Sequence, residues 1–208
     1  IWWAGRCDTC QAFCGCSGSS GMAIGLGYMF GLRIPINFNA PYKALSPSDF
    51  WQRWHISLST CMRDYLYIPF GGNRGSEAAT YRNLMLTMLI GGLWHGASWN
   101  FVIWGAMHGA ALVVERMLGF TGKEDARRLS PVVAWLITFH LVCFSWIFFR
   151  SQTFESAIDY FRVMFSLQSF AITMTPLVAM MFVFGALTQI IPDRLQSSVE
   201  AWYDRASI

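Results

Sequence analysis

Two histidines in one long apolar run are the residues best suited to proton-transfer chemistry. The segment Gly91–Gly109 reads GGLWHGASWNFVIWGAMHG and contains His95 and His108, and the run Leu84–Val114 has no Asp, Glu, Lys or Arg. A neutral imidazole can accept a proton from a hydroxyl group near pH 7. In hydrocarbon, an imidazole costs free energy unless it is used or hydrogen bonded. The alternative is a packed histidine bonded to a backbone carbonyl.

The two histidines do not form one site by spacing alone. They are thirteen positions apart, which places them on roughly opposite faces of a regular helix. No carboxylate lies in the run, so a Ser-His-Asp triad cannot form locally. Three tryptophans and several glycines would instead make a wall with room for close approach, as a tunnel or cleft needs; they are Trp94, Trp99 and Trp104. The sequence therefore indicates a single imidazole acting as general base.

The composition indicates a protein embedded in a lipid bilayer. Of 208 residues, 54% are hydrophobic and 13% are charged, whereas a soluble domain carries about 25% charge. Ten Trp and seventeen Phe suit aromatic belts at the membrane interfaces. A net charge of +3 is too small and too spread to indicate a nucleic-acid partner. A channel or transporter with a histidine proton relay is the alternative class, although the paired interrupted helices expected of a transporter are not found.

The amino-terminal end has two unusual features. The chain begins at Ile1 without a methionine or a signal-peptide pattern, so we expect a longer protein whose amino-terminal part is missing. Four cysteines are closely spaced, at Cys7, Cys10, Cys14 and Cys16. Thiolates at short spacings can bind zinc or iron, but this spacing matches no standard zinc or ferredoxin site. We therefore expect no metal.

The hydrophobic pattern predicts an all-α, multi-pass membrane protein in a single domain over 1–208. The run 84–114 exceeds the about 20 residues that cross a bilayer as a helix, and its glycines could let it tilt, bend or split. A short surface helix is expected over 151–162. The predicted segments are the end of a membrane helix at 9–32, an interfacial helix at 46–68, a catalytic membrane segment at 84–114, and membrane helices at 129–149 and 170–191.

The interfacial helix has a clear start. Ser46 at the N-cap, Pro47 at the first position and Asp49 at the third are typical of a helix amino terminus. Apolar residues then recur at three- and four-residue steps, which indicates a helix lying at the membrane surface or re-entering it. An excess of Lys and Arg over 33–83 places this part on the cytoplasmic side.

Two long motifs resemble one family. FWQRWHISLSTCMRDYLYIPFGGNRG and RNLMLTMLIGGLWHGASWNFVIWGAMHG closely resemble the membrane-bound O-acyltransferase family, in the bacterial branch that contains the membrane subunit of alginate O-acetyltransferase. The resemblance covers roughly residues 20–165. One segment departs: where relatives have an aromatic-rich D-F-S-G-Y-S-D, residues 15–21 read GCSGSSG. Small residues replace two acids and two aromatics there, which leaves the activity of this chain open.

The resemblance implies which residues carry the chemistry. Members fold as several spans around a tunnel that crosses the membrane. The essential histidine of the WHG motif corresponds to His95, and the second site residue, in the FW-x-x-W-H motif, corresponds to His55. We expect four further residues to contact substrate: Trp94, Trp99, Trp54 and Arg63.

The resemblance also implies the reaction. We expect transfer of an acetyl group from a cytoplasmic donor, acetyl-CoA, with no bound cofactor, at the bacterial cytoplasmic (inner) membrane. The acceptor would be the hydroxyls of an extracytoplasmic, alginate-like polysaccharide, or a periplasmic acetyltransferase partner. Two alternatives within the family are D-alanyl transfer from a carrier-protein thioester to teichoic acid and O-acetylation of peptidoglycan.

Overall fold

The computed structural model describes residues 20–27, 29–32, 34–120, 129–166 and Met180. The chain divides into two compact units, Ile1–Ile172 and Thr173–Ile208, and Met180 is the one described residue of the second. The cysteine cluster, the altered segment at 15–19 and nearly all of the predicted helix at 170–191 lie outside the described residues. The single-domain assignment over 1–208 therefore stays a prediction.

The described residues are helical and contain no strand, as predicted for an all-α chain. Residues 20–27 form a first helical stretch, where the end of a membrane helix was predicted. A 3₁₀ turn at Pro41–Lys43 and a π-helical turn at Arg63–Tyr67 accompany the longer elements. Six helices follow one another: α1 Pro47–Arg53, α2 Ile56–Met62, α3 Glu77–His95, α4 Trp99–Met117, α5 Pro131–Arg150 and α6 Phe154–Phe165.

Helix α1 begins as the sequence predicts. The Ser46 hydroxyl accepts a hydrogen bond from the Asp49 backbone N–H at 3.2 Å, and Pro47 occupies the first turn. The N–H of Ser48, which has no partner within the helix in this first turn, donates to Glu115 Oε2 at 2.8 Å. Glu115 follows the predicted segment 84–114, and α4 extends past it to Met117 and buries it. This carboxylate therefore attaches the start of α1 to α4.

The prediction of one helix over 46–68 is wrong, because the helix is interrupted at Trp54 and His55. Trp54 is extended and His55 is left-handed, with φ 44° and ψ 57°. The connector before α1 forms backbone hydrogen bonds with the residues on either side of this interruption. Ile56 N donates to Asn37 O at 2.9 Å, and Asn39 N donates to Arg53 O at 2.9 Å. These tertiary hydrogen bonds satisfy backbone groups that a continuous helix would have satisfied internally.

The apolar run 84–114 is not one helix. Gly96, Ala97 and Ser98 separate α3 from α4, and the Ser98 hydroxyl caps α4 by accepting from Asn100 N at 3.3 Å. The two helices form an antiparallel hairpin. Its open end is joined by an ion pair, in which Arg116 Nε and Nη2 donate to the Glu77 carboxylate at 3.0 and 3.2 Å.

Glycines allow the two helices of the hairpin to touch. A Cβ at Gly92 would meet the Phe101 carbonyl oxygen, and a Cβ at Gly105 would meet the carbonyl oxygen of Met88. Both contacts would be with backbone atoms, which cannot move aside as a side chain can. The predicted close approach at glycines is therefore present, but it joins two antiparallel helices rather than bending one.

Helix α5 covers the hairpin. It spans Pro131–Arg150, so a helix lies where the membrane helix 129–149 was predicted. Among the described residues it is the one helix long and apolar enough to cross a membrane. The Asn100 side-chain amide donates to Ser151 O at 2.8 Å, which joins the start of α4 to the end of α5. Helix α6 begins later than the predicted residue 151, because Thr153 and Ser156 form a capping box.

A core rich in tryptophan holds these helices together. It combines residues from α1, both hairpin helices and α5, so burial of the aromatic rings fixes α1 against the hairpin. The buried members are Ala44, Phe50, Trp51, Trp54, Met62, Met88, Trp104, Val142 and Trp146.

Candidate active site

His95 lies at the tip of the hairpin, as the last residue of α3. It is half-buried. Gly96 follows with its N–H bonded to Leu93 O, and a Cβ at Gly96 would lie 2.8 Å from Phe101 Cε2. Both this contact and a φ of 157° disfavour any side chain at the glycine of the WHG motif. Four rings surround the imidazole at centroid distances of 4.9, 6.1, 5.3 and 4.9 Å: those of Trp94, Phe101, Trp104 and Phe149.

His55 is also half-buried and has polar neighbours. Its Nδ1 lies 3.3 Å from Asn37 Nδ2 and 3.5 Å from Ser57 Oγ. Asn37 Oδ1 accepts from the Ser57 backbone N–H at 2.9 Å and from the Ser57 hydroxyl at 3.0 Å. The ring of Phe38 lies 5.9 Å away, centroid to centroid. His55 therefore belongs to a small hydrogen-bonded network beside the aromatic core.

An aromatic path links the two histidines. Trp54, next to His55 in the chain, packs on Trp146 with ring centroids 5.0 Å apart; Trp146 packs on Phe149 at 5.1 Å, and Phe149 packs on His95 at 4.9 Å. The structure thus places both histidines beside the same aromatic cluster, which supports treating them as one candidate site.

Burial lowers the pKa of the His55 imidazole below its usual value near 6.5, because removal from water disfavours the charged form. A hydrogen bond to its own backbone has a smaller, opposite effect on the pKa. Burial therefore favours the neutral form of His55 at pH 7. The neutral ring acts as both donor and acceptor of hydrogen bonds, whereas the charged ring can only donate.

The left-handed backbone at His55 leads to a prediction about stability. Asn adopts this conformation readily, whereas a β-branched residue does so only with strain of about 1–2 kcal/mol. We expect His55→Asn to change the free energy of unfolding by less than about 0.5 kcal/mol and His55→Val to lower it by about 1–2 kcal/mol. Thermal unfolding in detergent micelles measures both.

The matched control is the same pair of substitutions at Gln52. This residue is exposed and lies in α1, where the backbone is right-handed. Asn and Val have similar helix propensities, so the two Gln52 variants should unfold at nearly the same temperature. Equal losses for His55→Asn and His55→Val would show that the left-handed backbone does not decide stability at this position.

His108 is not part of this site. It is fully buried, and its Nε2 lies 2.9 Å from Ser145 Oγ, whose hydroxyl donates to Val142 O at 2.8 Å. Because the Ser145 hydroxyl proton is already donated to Val142 O, the N–H at His108 Nε2 donates to Ser145 Oγ. The rings of Phe50 and Trp51 pack on the imidazole at 6.0 and 5.3 Å. His108 joins α4 to α5 in the core.

The four expected substrate contacts lie in different surroundings. Trp94 packs its ring against His95 and is 64% exposed, so it can contact a substrate at the hairpin tip. Trp99, at the start of α4, is 76% exposed. Trp54, next to His55 in the chain, is buried in the core, so its surroundings do not support the expected substrate contact. Arg63 is exposed at the start of the π-helical turn and is paired with Asp64 at 2.7 Å.

A cavity of about 480 Å³ lies away from the histidines, between the start of α1, the second half of α4 and the first half of α5. Its lining is largely apolar and includes Met107, Val114 and Ile137. Glu115 also lines it, but both carboxylate oxygens already accept hydrogen bonds from Ser48. The carboxylate of Glu115 therefore serves to hold α1 against α4.

Two residues beside the histidines were not expected from the sequence. Asn37 lies in a connector eighteen positions before His55, and Phe149 lies in the last turn of α5. The N-F-N-A-P sequence around Asn37 contains residues typical of turns, which was the one available signal. Nothing local marks Phe149, because its contact with His95 depends on how α5 packs on the hairpin.

Comparison with known proteins identifies the family. The model of MBOAT, the membrane-bound O-acyltransferase family, matches residues 9–158, well over half of the chain. The chain belongs to the membrane-bound O-acyltransferase family. The resemblance carried by the WHG and FW-x-x-W-H motifs is thereby confirmed. Because this is a family of membrane proteins, the chain is a helical membrane protein, in agreement with its all-helical described residues.

Relatives with different acceptors are similar to the chain. It is 52% identical over 165 residues to the "Probable alginate O-acetylase AlgI" of Pseudomonas aeruginosa, with 79% of this chain and 31% of the relative covered. It is 50% identical over 151 residues to the peptidoglycan O-acetyltransferase of Helicobacter pylori, with 73% and 29% covered. With the teichoic acid D-alanyltransferase of Bacillus subtilis the identity is 29% over 150 residues, with 67% and 38% covered. The chain spans about a third of the length of these relatives.

Proposed function

We propose that the protein is an O-acyltransferase that moves an acetyl group from acetyl-CoA on the cytoplasmic side of the membrane to hydroxyls of an extracytoplasmic polysaccharide. His95 is the general base. The observation that carries the proposal is the position of His95: half-buried at the hairpin tip, enclosed by four aromatic rings and beside the same cluster as His55. No side chain in the described part of the chain is hydrogen bonded to the His95 imidazole.

The proposed reaction needs two proton transfers at His95. The imidazole takes the proton of the attacking hydroxyl as its oxygen bonds to the thioester carbonyl carbon. The carbon–sulfur bond then breaks, and the leaving CoA thiolate takes that proton from the His95 imidazolium, which restores the neutral base. Aromatic walls keep water from the thioester, which limits hydrolysis. His55, beside the same aromatic cluster, positions the donor or the acceptor.

The alginate and peptidoglycan relatives support an acetyl donor with a polysaccharide acceptor. Both are about 50% identical to this chain, so the acceptor is either an alginate-like polymer or peptidoglycan. The lower identity of the teichoic acid relative, 29%, makes D-alanyl transfer the second candidate. Family membership favours acyl transfer over proton-coupled transport.

The proposal includes a place in the cell and a partner. The protein would be a multi-pass protein of the bacterial cytoplasmic (inner) membrane, with residues 33–83 on the cytoplasmic side. Helix α5 supports a span, and the Lys and Arg excess supports the orientation. A periplasmic acetyltransferase would accept the acetyl group when the polysaccharide itself does not reach the site.

A donor assay on membranes that contain the protein tests this function. Acetyl-CoA labelled in the acetyl group and a D-alanyl carrier-protein thioester are supplied separately, with alginate or peptidoglycan as acceptor. We expect release of CoA and label in base-labile esters of one polymer, with no deacylation of the carrier protein. Deacylation of the carrier without consumption of acetyl-CoA would instead establish D-alanyl transfer.

A further inference from the structure

The orientation of the Asn37 side-chain amide is fixed by its contacts. The Ser57 backbone N–H can only donate, so the Asn37 atom that lies 2.9 Å from it is the carbonyl oxygen, Oδ1. The Ser57 hydroxyl, 3.0 Å away, donates to the same oxygen. The Asn37 backbone oxygen is held as well, by Ile56 N at 2.9 Å. Asn37 is therefore fixed through both its backbone and its side chain.

This orientation determines which nitrogen of His55 carries the proton. With Oδ1 on Ser57, the NH₂ group of Asn37 faces His55 Nδ1 at 3.3 Å. An amide NH₂ is a donor only, so Nδ1 must be the acceptor and the proton of the neutral ring must be on Nε2. A charged ring would set an N–H on Nδ1 against the amide hydrogens. The network thus favours one tautomer of the neutral ring.

We propose that Asn37 is a positioning residue that holds His55 neutral with its proton on Nε2, so that His55 donates a hydrogen bond to the acyl carbonyl oxygen while His95 acts as base. The inference rests on the proposed acyl transfer. The partial negative charge that develops on the carbonyl oxygen during attack is stabilised by a fixed N–H donor. His55 and His95 therefore have opposite roles, hydrogen-bond donor and proton acceptor.

A purely structural role for Asn37 makes a different prediction, and Asn37→Asp separates the two. One carboxylate oxygen can still accept from Ser57, so the backbone between α1 and α2 keeps its conformation. The other oxygen faces His55 Nδ1, which can bond it only as N–H. The substitution therefore moves the proton to Nδ1 or charges the ring, and it raises the pKa of His55 because a carboxylate stabilises the imidazolium.

The first measurement is independent of activity. Nitrogen-15 NMR of the histidine-labelled protein at pH 7, with His55 identified by its loss in His55→Asn, reports whether Nδ1 carries a proton. We expect an unprotonated Nδ1 in the wild type and a protonated Nδ1 in Asn37→Asp. A protonated Nδ1 in the wild type would overturn the inference.

The second measurement is the pH dependence of acetyl transfer. We expect Asn37→Asp to lower kcat by at least about 10-fold, to move the acidic limb of the rate profile to higher pH, and to leave the melting temperature near that of the wild type. An unchanged profile, or a loss of activity that follows a lowered melting temperature, would show a structural role only and overturn the inference. Absence of acetyl transfer by the wild type would instead refute the proposed function and leave the NMR result standing.

The matched control is Asn39→Asp. It makes the same chemical change two residues along the connector, at an exposed side chain whose backbone alone bonds to Arg53. We expect its kcat to stay within about 2-fold of the wild type and its pH profile to be unchanged. An equal effect of both substitutions would show that added negative charge, rather than the tautomer of His55, causes the loss.

Discussion

Replacement of His95 with alanine is expected to lower acetyl transfer by about 10²–10⁴-fold, the usual contribution of a general base. The proton of the attacking hydroxyl then has no acceptor at the hairpin tip. The fold should survive, because the side chain is half-buried and the helix cap is made by Gly96 rather than by the imidazole. Labelled acetyl incorporation into polymer and the amount of protein in the membrane are measured together.

The control for this experiment is His140→Ala, which removes a histidine from α5 at a distance from the hairpin tip. The His140 ring lies 2.7 Å from the backbone oxygen of Leu136 in the same helix. We expect its transfer rate to remain within about 2-fold of the wild type. Acetyl transfer that persists in His95→Ala at the wild-type rate would remove His95 from the mechanism.

Replacement of Gly105 with valine is expected to destabilise the protein by about 3 kcal/mol, near the upper end for overpacking. A Cβ at this position meets the Met88 carbonyl and lies 3.3 Å from Leu89 Cα. These are backbone atoms of α3, so rotation of a side chain cannot relieve the clash. The two helices of the hairpin must move apart instead. Opening moves Trp104 away from His95, so transfer should fall with the melting temperature.

Gly25→Val is the matched control for the hairpin. In the described part of the chain, nothing lies within 4 Å of a Cβ at Gly25, and the residue is helical. Its effect on the melting temperature should be small, because the substitution adds no clash and valine is no worse than glycine in a helix. Similar losses for the two variants would mean that contact between α3 and α4 does not decide stability.

The local sequence was sufficient for the features that depend on near neighbours. The start of α1 followed from Ser46, Pro47 and Asp49 because a cap uses atoms within one turn. The membrane character followed from composition, and His95 followed from the WHG motif. Helix α5 followed from a run of apolar residues between Pro131 and Arg150, since its length alone matches a bilayer.

Tertiary structure decided the rest of the site. Histidine is enriched among the few non-glycine residues with a left-handed backbone, but nothing local predicted that α1 ends before His55. Hydrogen bonds donated by Ile56 and Ser57 to Asn37 hold the chain in that conformation. Glycines in the apolar run permitted a bend or a split, and the split occurs because Ser98 caps a second helix that packs back on the first. Phe149 approaches His95 because α5 packs on the hairpin through Trp104 and Trp146, and Asn100 joins the start of α4 to the end of α5. Motifs therefore identified the two histidines, whereas the hydrogen bonds of His55, the rings around His95 and the aromatic cluster beside both depend on contacts between residues far apart in the chain.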